Sequence, residues 1–94
     1  MPLDGTNNPT TEVILGAISY LERYGWCQKR AVDGPKLCMW GAIREAAGND
    51  VLAAGLVATQ VEHANGIFPC LMAIWNDAPE RTKEQVIRAL ENAL

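Results

Sequence analysis

Three glycines close apolar runs along this chain, and they limit how long any regular element can be. Gly25 follows Val13, Ile14, Ala17, Ile18, Leu21 and Tyr24, which recur at helical spacing and make one apolar stripe. Gly48 follows a segment running from Lys36 to Ala47, and Gly66 follows one from Val51 to Asn65. A glycine just past the last periodic residue takes the left-handed conformation that stops a helix at little cost. The chain therefore reads as a series of helices of about four turns or fewer, and no alternating run predicts a sheet.

Start signals agree with these stops. The first helix spans 11–24: Asn8 or Thr10 can cap it, Pro9 suits a first helical position, and Glu12 favours the positive end of the dipole. The second spans 36–47, and its first half (Leu37, Cys38, Met39, Trp40, Ala42, Ile43) is apolar nearly all round, as in a central or interface helix. Gly41 inside it costs about 1 kcal/mol relative to alanine, which predicts close approach of a neighbouring helix. The third spans 51–65 behind Asn49 or Asp50; its polar Gln60, Glu62, His63 and Asn65 predict that this end reaches the surface. The apolar run Ile67–Trp75 predicts a short buried helix begun by Pro69. Thr82 answered by Gln85 forms a capping box for a last helix striped by Val86, Ile87, Leu90 and Leu94.

The expected architecture is all-α: a compact single domain of four to five short helices over 10–94, behind a flexible leader at 1–9. The second and third helices are expected at the centre, with the first and last packed outside. With 94 residues, 49 % of them hydrophobic and 20 % charged, the chain has the composition of one globular core and not of a disordered segment.

Charge narrows the function classes. A net charge of −3 argues against a surface built for nucleic acid or anionic membrane. Between Arg23 and Arg44 there are five bases (Arg23, Lys29, Arg30, Lys36, Arg44) against one acid, Asp33, which reads first as a solvated face. The short Gly48-Asn49-Asp50 link invites a helix-turn-helix comparison, yet no Lys or Arg lies between Asp50 and Asn65 to meet phosphates. Weak nucleic-acid binding through 23–44 remains an alternative only. The longest uncharged stretches fall short of the roughly 18 residues of a membrane span. Three cysteines, Cys27, Cys38 and Cys70, are an odd number for a disulfide framework and fit reduced thiols in a cytoplasmic protein.

Catalytic and metal motifs are weak. Cys27, His63 and Asn76 or Asp77 occur in the order used by papain-like enzymes, without the local signatures of those families. Zinc ligation by the three cysteines and His63 would need paired ligands two to four residues apart, whereas here ten, twenty-four and six residues intervene. No metal or cofactor is implied, and the reading leans away from an enzyme. Trp26, in a loop, is the tryptophan expected to be an exposed interface anchor. Asn76-Asp77 has two readings. Asn76 ties its loop to a neighbour while Asp77 caps the coil containing Pro79, or Asp77 and Arg81 stand at the mouth of a small polar site. The candidate set is Trp26, Cys27, Gln28, Asn76, Asp77 and Arg81, and a site there requires the 25–28 and 75–82 loops to meet around a cavity.

The segments Gly25-Trp26-Cys27-Gln28, Cys38-x-x-Gly41-Ala42-Ile43, Trp75-Asn76-Asp77-x-Pro79 and Arg81-Thr82-x-Glu84-x-Val86 together resemble a family of small uncharacterised actinobacterial and actinophage proteins. The resemblance covers residues 13–94 and departs at Met39-Trp40, where a small aliphatic pair is expected. It implies kinship without an activity, and a phage origin implies a modulator of host machinery. The leading expectation is thus a small cytoplasmic protein-interaction or regulatory module with an unidentified protein partner. It is homo-oligomeric if the second and third helices carry more apolar surface than one core can cover. The alternative is a small-ligand or thiol-dependent hydrolase site in the 25–28 and 75–82 loops.

Overall fold

The computed structural model describes residues 9–94. Helix α1 (Pro9–Tyr24) leads into a small antiparallel hairpin, β1 (Val32–Asp33) and β2 (Lys36–Leu37). Helices α2 (Met39–Ala46), α3 (Val51–Ala64), α4 (Met72–Asn76) and α5 (Lys83–Glu91) follow. The architecture is mostly helical, with five helices among the described residues. Residues 1–8 of the expected leader lie outside them, and Pro9 is already the first residue of α1.

Where local chemistry sets the boundaries, expectation and structure agree. Gly25, Gly48 and Gly66 take φ of 100°, 68° and 66°, the left-handed backbone that stops a helix. Asp50 caps α3 by accepting from Ala53 N at 3.1 Å. The Thr82–Gln85 capping box is complete in both directions.

Lys36 and Leu37 are not helical, contrary to the expected second helix, because they pair with Val32–Asp33 and with the 25–27 loop. Leu37 N donates to Gly25 O at 3.1 Å, and Cys27 N donates to Leu37 O at 3.0 Å. Two-residue strands carry too little alternation to be visible as a pattern. Helix α2 therefore starts at Met39, with the Cys38 sulfur accepting from Gly41 N at 3.3 Å. Gly41 is the close-approach point foreseen, but to a loop: a Cβ there would collide with the Ala31 carbonyl oxygen.

The centre of the fold is α1 on α2, not α2 on α3. Ile14, Ala17, Ile18 and Leu21 of α1 share the core with Met39, Ala42 and Ile43 of α2, and α5 adds Val86, Ala89 and Leu90. Leu94, expected in the last stripe, is exposed, and Ala93 is buried instead. Helix α3 buries one side, Ala54, Val57, Ala58 and Val61, and leaves Val51, Leu52 and Leu56 in solvent. The segment expected as a buried helix begun by Pro69 becomes α4 three residues later, with Phe68, Leu71 and Ile74 exposed. Only Met72 and Asn76, one turn apart on its inner side, are buried. No described helix is long and apolar enough to cross a membrane.

Candidate functional site

The two motif loops meet, and Asn76 is where they are tied together. Placed on the last turn of α4, it has no exposed surface. Its Oδ1 accepts from Trp26 Nε1 at 2.7 Å and from Met39 N, in the first turn of α2, at 3.0 Å. Its Nδ2 donates to Cys27 O at 3.2 Å and to Asp77 Oδ1 at 3.0 Å. A primary amide has two donor hydrogens and one acceptor oxygen with two lone pairs, and all four are used.

The neighbours extend the same seam. Gln28 Nε2 donates to Asn76 O at 3.1 Å and Ala78 O at 2.8 Å, satisfying carbonyls at the C-terminal end of α4. Asp77 Oδ1 also accepts from Lys29 N at 2.8 Å, which holds Lys29 at a φ of 72°. Asp77 thus locks the other loop, and the expected capping of the Pro79 coil gives way to these bonds. Arg81 stands one residue aside, donating from Nε to Trp75 O at 2.8 Å with its guanidinium 3.8 Å from the centre of the Trp75 ring.

Of the six candidates, Trp26, Gln28, Asn76 and Asp77 meet through side chains and Cys27 through its carbonyl. They meet by direct hydrogen bonds and not around a cavity. Asp77 borders a hollow of about 160 Å³, shared with Lys29, Arg30, Ala31, Cys38, Trp40 and Ala73. Trp26 is half-buried with its N–H on Asn76, so it is a core-to-rim residue and not the exposed anchor expected of it.

Cys27 is buried, and its Sγ donates to Arg30 O at 3.4 Å. Burial, then the neighbouring Cys38, Asp33 and Asp77, push its thiol up, with Arg30 pulling weakly the other way. Burial likewise raises the Cys38 thiol, against the pull of the Gly41 and Trp40 amides. A nucleophilic cysteine needs its thiolate favoured, and here the neutral thiol is favoured. Among the described residues no group of three or more His, Cys, Asp or Glu comes together as a metal would require.

The more open feature lies elsewhere. A groove of about 350 Å³ runs between α3 and the start of α4, lined by Trp40, Gly55, Ala58, Thr59, Glu62, Cys70, Met72 and Ala73. The polar end of α3 reaches solvent at Gln60 and His63 as expected, but Glu62 is 5 % exposed. Its place four residues after Ala58, on the buried stripe of α3, is the spacing that would have revealed it.

A match to a family of unknown function runs over residues 5–94, nearly the whole chain. The chain belongs to the DUF6197 family. No curated protein and no solved structure matches it. For this DUF6197 chain, function is therefore argued from the closed seam at Asn76 and the open face beside α3.

Proposed function

We propose that this DUF6197 chain is a small protein-interaction module, and that its contact surface is the α3–α4 face. The observation that carries the reading is the exposure of large apolar side chains on α3, on α4 and in the segment between them: Leu52 77 %, Leu56 68 %, Phe68 76 % and Ile74 69 %. Single exposed apolar residues are ordinary, whereas several on adjoining segments mark a contact surface. Helix α3 carries no charged residue from Val51 to Val61, so the stretch that bears Leu52 and Leu56 suits an apolar partner. The motif loops, by contrast, spend their polar groups on each other. That supports a scaffold role for them over a ligand or thiol-hydrolase site.

A second copy of the chain is one occupant that such an apolar surface suits. The resemblance to actinophage proteins suggests a cytoplasmic setting in which the occupant belongs to host machinery. The test is affinity capture with the wild-type chain beside the double variant Leu52→Glu/Leu56→Glu, with sedimentation velocity on both. These exposed substitutions are expected to leave stability within about 0.5 kcal/mol. A partner, or a dimer, held by the wild type and lost by the variant supports the reading. Identical association by both chains refutes it.

A further inference from the structure

We infer that the groove between α3 and α4 is a binding site for an alkylammonium group, with Glu62 as its charge partner. The inference concerns the same face as the interaction reading and adds the chemistry of what enters it. Three observations meet there.

Glu62 is 5 % exposed as a whole residue and lines the groove. Its Oε2 accepts from Met72 N at 3.1 Å. No buried side-chain oxygen among the described residues lacks a partner, and Oε1 accepts no bond from them, so Oε1 keeps some exposed surface, which we place at the groove that Glu62 lines. A carboxylate accepts up to about four hydrogen bonds, and Met72 N supplies one of them. None of the other lining residues is cationic. A positive donor entering the groove is the partner that this carboxylate favours.

The rest of the lining specifies the body attached to that donor. Gly55, Ala58, Met72 and Ala73 are apolar or small and suit a methylene stem, as the shafts of lysine side chains lie along apolar surface with the ammonium at a polar end. Trp40 adds an indole, the side chain that best favours a nearby cation. At about 350 Å³ the groove sits at the small end of the roughly 300–1,000 Å³ of ligand pockets.

The ammonium can come from a lysine on a protein partner or from a free alkylamine, and one titration separates them. The full chain, labelled with nitrogen-15, is titrated with n-butylamine hydrochloride, with Nα-acetyl-lysine N-methylamide, and with n-butanol as the uncharged control. The expected result is saturable amide shifts at Glu62, Met72 and Ala73 with an amine and none with the alcohol, and a loss of at least about tenfold in affinity in Glu62→Gln. Tighter binding of the lysine derivative assigns the site to a partner's lysine; binding of butylamine alone assigns it to a free amine. The glutamine retains an oxygen for Met72 N, and the amine-against-alcohol comparison on the unaltered chain decides the matter even if that variant misfolds. Equal shifts with alcohol and amine, no saturation with either amine by about 10 mM, or undiminished binding by a folded Glu62→Gln chain overturns the inference. Amine binding without any Leu52- and Leu56-dependent association would leave this inference standing and remove only the interaction reading.

Discussion

Trp26 and Asn76 lie fifty positions apart and are joined by a 2.7 Å hydrogen bond from the indole N–H to Oδ1. The same oxygen accepts from Met39 N, so one side chain joins the 25–28 loop, the start of α2 and the end of α4. Removing either partner has unequal consequences. Trp26→Phe leaves Oδ1 bonded to Met39 N and is expected to cost about 1–2 kcal/mol in urea unfolding. Asn76→Ala strands the Trp26 N–H, the Met39 N–H and the Cys27 carbonyl together and is expected to cost about 3–5 kcal/mol, a large part of the stability of a domain this small.

Asn76→Asp adds a pH signature. A carboxylate there would set an oxygen, in place of the amide nitrogen, against Cys27 O and Asp77 Oδ1, now 3.2 and 3.0 Å from that nitrogen. Its destabilisation is expected to be larger at pH 7 than under acid conditions that protonate the introduced group, when both are compared with wild type at the same pH. A variant equally stable at both pH values, relative to wild type, would contradict the donor role of Nδ2.

The three thiols are expected to divide. Cys70 is exposed at the rim of the groove, whereas Cys27 and Cys38 are buried. Alkylation of the native chain at neutral pH, read by mass spectrometry, should modify Cys70 first, with the other two following only on unfolding. Because burial raises both inner thiols above the ordinary 9.0, the native state holds their protons more tightly than the unfolded chain does. Their contribution to stability is complete below pH 9.0 and is lost as pH rises through the raised values. Denaturant midpoints should therefore fall above that pH, and less steeply in Cys27→Ala.

Gly41→Ala separates propensity from packing. In an open helix the change is worth about 1 kcal/mol of stabilisation. Here the added methyl meets the Ala31 carbonyl, which accepts from Cys38 N at 3.1 Å and cannot move without opening the hairpin. A net destabilisation of about 1–2 kcal/mol is expected in thermal or urea unfolding; a gain would show that the loop yields freely.

The parts of this fold that were legible in sequence are those decided by neighbours in the chain. Gly25, Gly48 and Gly66 end helices because a left-handed backbone is cheapest at glycine, and Thr82 with Gln85 starts one by satisfying free amides. What failed depends on distant contacts. Lys36 and Leu37 leave the helix because a strand partner and the 25–27 loop claim their backbone. Trp26, Gln28, Asn76 and Asp77 were conspicuous as polar or aromatic residues at element edges, but only the folded chain shows that they satisfy one another. The charge of Glu62 points it to solvent, whereas its position on the Ala54–Ala58 stripe carries the better information.

The division of labour between a structural seam and an apolar contact face is tested most directly by two variants measured side by side. Asn76→Ala and Leu52→Glu/Leu56→Glu are each compared with wild type for unfolding free energy and for retention of the same captured partner or dimer. The expected result is a large loss of stability in the first with association intact wherever it remains folded, and unchanged stability with association lost in the second. The reverse, a stable Asn76→Ala chain that no longer associates beside a double variant that still does, would place function in the motif loops and contradict the assignment to the α3–α4 face.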